Sequence, residues 1–358
     1  MVREYFARGV VTMLDDVNVL KQRDRSGVLD IVAGIYQQAA LEVKLVDSEH
    51  DGRAINNIVI AGMGGSALAA EMAKVILADT LTVPFEVVRG YTLPHYVNEN
   101  TLVIASSFSG NTEETVACVE EAIKKSAQVV AITSGGRLKD LATNNHAMLG
   151  LIPAESEARY GMIYNLRILL RVLIEFGFAP KRVYDEMASA ASWLQREAEL
   201  WAKDVPIERN YAKQLALLAV GKTPIFYAGS LMAPVAYKWK ISWNENAKNV
   251  SFWNVLPEFN HNEFAGWTSH PIEKPFAVFD LVSELEHPRV LKRLDLSDRL
   301  LSGRRPKATI VPIAGKTVMD QLLWGCILGE FVSVYVAILN NVDPSGLAIV
   351  DKLKKELG

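Results

Sequence analysis

The chain has 358 residues, half of them hydrophobic, with a formal net charge of −3, which suggests more than one domain and offers no basic surplus for nucleic acid. Its two cysteines, Cys118 and Cys326, lie far apart in apolar segments, which argues against a disulfide framework and fits a reducing compartment. The opening stretch MVREYFARGVVTML lacks a leader-like apolar core, and no unbroken apolar run reaches about 18 residues, so the expectation is a cytoplasmic globular protein without a membrane span.

From Val19 to Val46, apolar positions at Leu20, Val28, Ile31, Ile35 and Ala39 recur at helical spacing, which predicts one leading helix or two short ones. NIVIAGM (57–63) then reads as a strand ending in glycine, followed by a helical pattern. PFEVVRG, TLVIASS, QVVAITS and HAMLGLIP are further strand candidates, with helical stretches at 112–125, 137–142 and 160–175. A polar segment from Ala179 to Asp204 reads as a connecting helix. The pattern then repeats: PIFYAGS (224–230) has the outline of NIVIAGM, PFAVFDLV and KATIVPI are later strands, a last long helix covers 317–339, and a short amphipathic helix follows Pro344. Strands alternating with helices imply an α/β fold with parallel sheets flanked by helices. The simplest division is two similar halves, 1–178 with a leading helical segment and 179–358 with a C-terminal helix.

AGMGGSALA contains Gly62, Gly64 and Ala67, which fit G-x-G-x-x-A between a strand and a helix. A dinucleotide site expects an acidic residue at the end of the next strand, but that strand ends in Arg89, which would suit a 2′-phosphate instead. A simpler reading makes Gly64, Gly65 and Ser66 a tight turn into a helix N-terminus, where amides and dipole favour an anion. A plain strand-to-helix turn would use the same glycines. SSFSGNT sits at the end of another strand. Capping by Asn111 or Thr112 accounts for one polar side chain. It does not account for Ser107, Ser109 and Thr112 together, which could surround a phosphate with neutral donors.

In the second half, SWNENAKN carries Glu245 and PEFNHNEFAGW carries Glu258, His261 and Glu263, set among tryptophans and phenylalanines. Carboxylate and imidazole in apolar surroundings suit acid–base chemistry. The same cluster could cap helices or line an interface. A metal is disfavoured because H-E-x-x-H is absent and the next histidine, His270, lacks ligand spacing. No G-x-S-x-G elbow is present, and neither cysteine has a catalytic setting.

GMGGSA, SSFSGNTEET, NENAK and PEFNHNE, in this order, resemble the bifunctional phosphoglucose/phosphomannose isomerases, from about Ile58 to Leu357. The resemblance implies two sugar isomerase (SIS) domains and interconversion of glucose 6-phosphate or mannose 6-phosphate with fructose 6-phosphate through a cis-enediolate. It implies no cofactor and no metal. Gly65, Ser66, Ser107, Ser109 and Thr112 would hold the sugar phosphate, and Arg159 would stabilise the enediolate. Glu245 would be the base. His261 would assist ring opening from the neighbouring subunit of a homodimer, and Lys354 would match the family's C-terminal lysine, with Lys352 and Lys355 adjacent. The chain departs from the family pattern at Ala158, where a proline usually precedes the arginine, and at DPSGLA near the C-terminus. Rival readings are a non-catalytic sugar-phosphate sensor and an NADP-dependent enzyme using Gly62, Gly64 and Arg89.

Overall fold

The computed structural model describes residues 13–47, 50–154, 157–268 and 275–357. Most of the stretch read for a leader, residues 1–12, and His270 lie outside them. The chain forms two compact units, one spanning Ile35–Trp193 and the other joining the described residues up to Gly34 with those from Leu194 onward.

The leading pattern resolves into two short helices, α1 (Val17–Arg23) and α2 (Val28–Gly34). Side-chain chemistry makes the break. Asp16 accepts the first-turn amides of Asn18 and Val19, while Asp24 ends α1 and accepts those of Val28 and Leu29. Gly27, at φ +67°, turns the chain between them. Both helices belong to the unit built by the second half, where the Arg23 guanidinium donates to the Ile338 carbonyl at 2.7 Å.

The Ile35–Trp193 unit runs β1 (Leu45–Val46), β2 (Asn57–Gly62), α3 (Gly64–Ile76), β3 (Phe85–Val88), β4 (Thr101–Ser106), α4 (Glu113–Lys124), β5 (Gln128–Thr133), α5 (Gly136–Asn144), β6 (Met148–Leu151) and α6 (Met162–Glu175). Its six-stranded sheet has the order β1-β6-β5-β4-β2-β3, parallel except for the two-residue β1. The strands read as unbroken apolar runs because both faces are covered. Val59, Ala61, Val103, Ala105, Val129 and Ala131 share one core with Cys118, Val119 and Ala122 of α4 and with Leu138 and Ala142 of α5. The intervening Ile58, Ile60, Leu102, Ile104 and Val130 are equally buried. On that second face Gly150 lies so close to Ile168 of α6 that a Cβ would stand 2.4 Å from its Cγ2.

Helix α7 (Lys181–Leu200) carries the chain out of this unit. There follow α8 (Tyr211–Ala219), β7 (Thr223–Ala228), α9 (Ala233–Glu245), β8 (Phe252–Val255), α10 (Glu263–Gly266), β9 (Phe276–Val282), α11 (Pro288–Leu300), β10 (Thr309–Pro312), α12 (Val318–Leu339) and α13 (Ala348–Leu357). The four strands are all parallel, in the order β10-β9-β7-β8. Strand β8, unforeseen in the sequence, is an edge strand whose Phe252 and Trp253 are largely exposed, so it carries no buried apolar run.

Among the described residues one helix, α12, is long and apolar enough at 22 residues to cross a bilayer, yet 94% of its most apolar stretch is buried within the protein. Asp320, Gln321 and Glu330 interrupt its apolar run. The helix is apolar all round because it is a core helix. Gly325 and Gly329 face α9. A Cβ at Gly325 would stand 2.7 Å from Val235, and one at Gly329 would stand 2.5 Å from Trp239. The missing side chains let Trp239 lie against α12, with its indole N–H donating to the Gly325 carbonyl at 2.8 Å. Trp239 also packs edge-on to Phe226 and stacks with Trp243, which ties α9 to the sheet.

Gly329→Ala overpacks this contact. It is expected to destabilise the protein by about 1–3 kcal/mol, measured by urea unfolding. Wild-type stability in that variant would contradict the close approach.

Candidate active site

In the first sheet, β2 has β3 on one side and β4 on the other, so the chain reverses direction across β2. Open α/β sheets bind ligands outside such a switch point, at the carboxyl ends of the strands. Gly62 at the end of β2 lies opposite Ser106 at the end of β4. The glycine loop and the hydroxyl loop therefore open side by side at that point.

The glycine loop is built for close approach. A Cβ on Gly62 would stand 3.0 Å from the Ser106 carbonyl, and Gly64 takes φ +50°. Met63 holds the N-cap position of α3 without a side-chain cap bond, and Ser66 is buried in the first turn. Helix geometry leaves the first amides of such a turn without partners inside the helix. Arg89, weighed as a 2′-phosphate ligand, pairs with Glu71 at 2.8 Å.

In the hydroxyl loop, the Ser107 and Thr112 hydroxyls share a hydrogen bond of 2.7 Å, and Ser107 Oγ also accepts the Gly110 amide at 3.1 Å. Thr112 stands at the N-cap of α4, but its side chain makes no cap bond. The expected Asn111 cap is also redirected: its Oδ1 accepts the Arg137 amide at 3.0 Å. Ser109 is exposed, with Oγ accepting the Asn111 amide at 3.3 Å. Gly110, at φ +70°, approaches Gly135 so closely that a Cβ would fall 1.8 Å from its carbonyl oxygen.

Arg159 lies on a 3-10 turn, Ala158–Tyr160, with its guanidinium 5.3 Å from the Tyr160 ring. That turn meets both loops. A Cβ on Gly161 would stand 3.2 Å from the Phe108 ring, and one on Gly65 would stand 3.6 Å from Met162. Two buried amides absent from the sequence reading hold it there. Asn165 donates to the Gly161 carbonyl at 3.0 Å and accepts the Ser106 hydroxyl at 2.8 Å. Gln38 donates to the Tyr160 carbonyl at 2.8 Å and accepts the Tyr164 amide at 3.2 Å. Isolated amides within helical patterns carry no signal that could have marked them.

The second sheet has the same kind of switch point, between β7 and β9. Here the turn is already occupied. Buried Glu286 fills it, accepting the Leu231 amide at 2.6 Å and also the amides of Met232 and His287. Gly229 is needed to admit the carboxylate, because a Cβ would stand 2.3 Å from the Glu286 Cδ. Burial pushes this carboxyl above its ordinary range, against the pull of the three amides.

The remaining candidates divide. Glu245 is the last residue of α9, half-buried, and Lys248 Nζ donates to its carbonyl at 2.5 Å. His261 is exposed on a 3-10 turn, Glu258–His261, which Asn260 ties to α11 through Ser297 (2.9 Å) and Arg293 (3.3 Å). Because α9 ends before β8 begins and the His261 turn follows β8, the two residues lie at opposite ends of this parallel strand, about 13 Å long. Glu263 has structural partners: it accepts the Tyr227 hydroxyl, and the Asn254 amide at 2.7 Å. Lys354 is exposed on α13, while Lys352 pairs with Glu356 at 3.7 Å. Among the described residues, no three His, Cys, Asp or Glu side chains converge as metal ligands.

Residues 53–168 match the SIS domain model, and residues 208–357 match the bacterial phospho-glucose isomerase C-terminal SIS domain model. A bifunctional phosphoglucose/phosphomannose isomerase from Caldicellulosiruptor bescii is 35% identical over 85% of this chain and 90% of its own. One from Aquifex aeolicus is 30% identical over 92% and 98%. A glucose-6-phosphate isomerase-like protein from Thermus thermophilus shares the fold, with a TM-score of 0.63 at 18% identity over 96% of this chain and 98% of that one. Two SIS domains in series and identity of this extent place the chain in the bifunctional phosphoglucose/phosphomannose isomerase family.

Proposed function

We propose that the protein is an aldose–ketose isomerase that interconverts glucose 6-phosphate and mannose 6-phosphate with fructose 6-phosphate. The observation that carries this reading is the open pair of loops at the first switch point, in a chain of this family. Gly65, Ser66, Ser107, Ser109 and Thr112 bind the phosphate with amides and neutral hydroxyls. This grip lies away from the reacting carbons, so its binding energy serves to position them. Glu245 takes the proton from one of C1 and C2 and returns it to the other. Arg159 faces the developing enediolate oxygen, a contact typically worth a few kcal/mol. Lys354 is taken as the counterpart of the family's C-terminal lysine. Both aldoses reach one enediolate, which accounts for use of either C2 epimer.

His261 assists ring opening from a second copy of the chain in a homodimer. The placement of Glu245 before β8 and of His261 after it, at opposite ends of the strand, supports this. A non-catalytic sugar-phosphate sensor is the poorer reading, because the carboxylate and imidazole would then have no task.

Glu245→Gln should lower kcat by orders of magnitude in an assay from fructose 6-phosphate, with substrate binding retained by calorimetry. Near-normal turnover would remove Glu245 as the base. Ser109→Ala combined with Thr112→Ala should chiefly raise KM for fructose 6-phosphate, and an unchanged KM would refute the phosphate grip. Glu245→Gln and His261→Ala should each abolish turnover alone, yet coexpression should restore about a quarter of wild-type activity, since half the dimers then carry one complete site. A mixture as inactive as its parents would show that His261 does not act in trans.

A further inference from the structure

Lys238 of α9 and Glu330 of α12 form an ion pair, 4% and 2% exposed, that the sequence reading did not mark. One Glu330 oxygen receives the Lys238 ammonium. The other accepts the side-chain amide of buried Asn246 at 2.8 Å. That amide also donates to Ser333 Oγ at 2.9 Å, and the Ser333 hydroxyl donates to the Glu330 carbonyl at 2.9 Å. One carboxylate therefore pins α9 two turns before Glu245 and again at the residue after it.

The pair also lies within electrostatic reach of Glu245. Burial alone would pull the Lys238 ammonium down, but the Glu330 charge outweighs it and holds Lys238 above its ordinary range, helped by Glu245. Facing Lys238 from α12 are Glu330 and Cys326, and burial pushes that thiol up to about 12, leaving it neutral. On the α9 side stand Glu245 and Lys248. Strands β7 and β8, which also pack on α9, carry no charged side chain. The two charges of the pair thus oppose each other at Glu245.

We propose that the Lys238–Glu330 pair is a positioning device for Glu245, fixing the end of its helix and cancelling charge beside it, so that loss of Glu330 changes proton transfer at Glu245. The inference rests on Glu245 being the base. An ammonium left without Glu330 favours the ionised carboxylate and makes it a weaker base. Lys238 and Glu245 are seven residues apart on one helix face, about 10 Å along the axis. At that separation an unbalanced charge shifts a titration by roughly one pH unit.

The test is the pH dependence of kcat and KM from fructose 6-phosphate for variants whose folding is checked by circular dichroism. Glu330→Gln should lower kcat roughly tenfold, leave KM within about twofold, and move the acidic limb to lower pH. Lys238→Met with Glu330→Gln removes both charges and should return the limb to its wild-type position. Ser333→Ala keeps both charges, so it should lower kcat with the limb unmoved. A Glu330→Gln limb that coincides with wild type, or one that the double variant leaves displaced, overturns the charge balance. An unchanged kcat in Ser333→Ala overturns the positioning. Should Glu330→Gln fail to fold, Lys238→Met decides: it leaves the Glu330 charge unbalanced and should move the acidic limb to higher pH, and a limb at the wild-type position overturns the charge balance. Glu245→Gln separates the two levels. If it stays active, the base assignment fails; if it is inactive while the Glu330→Gln limb stays put, only the coupling fails.

Discussion

The second unit depends on how closely α12 approaches α9. Two glycines on α12 leave room for Val235 and Trp239, and that proximity brings Glu330 within reach of Lys238. A buried charge deprived of its partner costs several kcal/mol, so the helices must pack in the register that completes the pair. Apolar packing alone would tolerate small slips along a helix that is hydrophobic on every side. The ion pair and the two glycines do not. Since Trp239 and Trp243 also lock α9 onto Phe226 of β7, the same contact fixes where α9 ends, and with it Glu245.

The two sheets have the same kind of switch point but use it differently. In the Ile35–Trp193 unit the loops after β2 and β4 open with hydroxyls and first-turn amides around them. In the other unit the equivalent turn already holds a carboxylate, Glu286, on three amides. A backbone turn of this kind favours an anion whichever molecule supplies it. Where the chain supplies its own, the turn is structural. Glycine marks both places for the same steric reason, and PIFYAGS and NIVIAGM therefore look alike while differing in what they hold.

Much of this was legible in the sequence. Eight of the strands announced themselves as apolar runs, β2, β4, β5, β7 and β9 because they are buried on both faces, and the loops after NIVIAG and TLVIAS fell where strand ends should bind ligands. What stayed hidden has physical causes. Strand β8 is exposed at an edge, and β1 has only two residues, so neither has a pattern to detect. Lys238, Glu330 and Asn165 sit in apolar helical stretches and Gln38 beside Gln37 in a 3-10 stretch, and each has a partner distant in sequence. A buried polar residue acquires meaning only with its partner, and a single sequence does not display pairs. The capping of α4 illustrates the limit: the sequence predicted a polar side chain at the helix start, but the hydroxyl of Thr112 turns to Ser107 and the amide of Asn111 to the next helix.

The placement of Glu245 and His261 follows a related logic. A general base works through a tuned environment, which needs burial, fixed neighbours and a rigid helix end, and one chain can assemble these from its own core. An exposed imidazole can wait in solvent at no desolvation cost. Glu245 is half-buried beside a buried network, whereas His261 is exposed on a turn held from below by Asn260. If both serve one sugar, their positions at opposite ends of β8 favour delivery of the exposed group by another copy. A residue presented to solvent on an anchored turn is the kind that a neighbour can receive without either chain refolding.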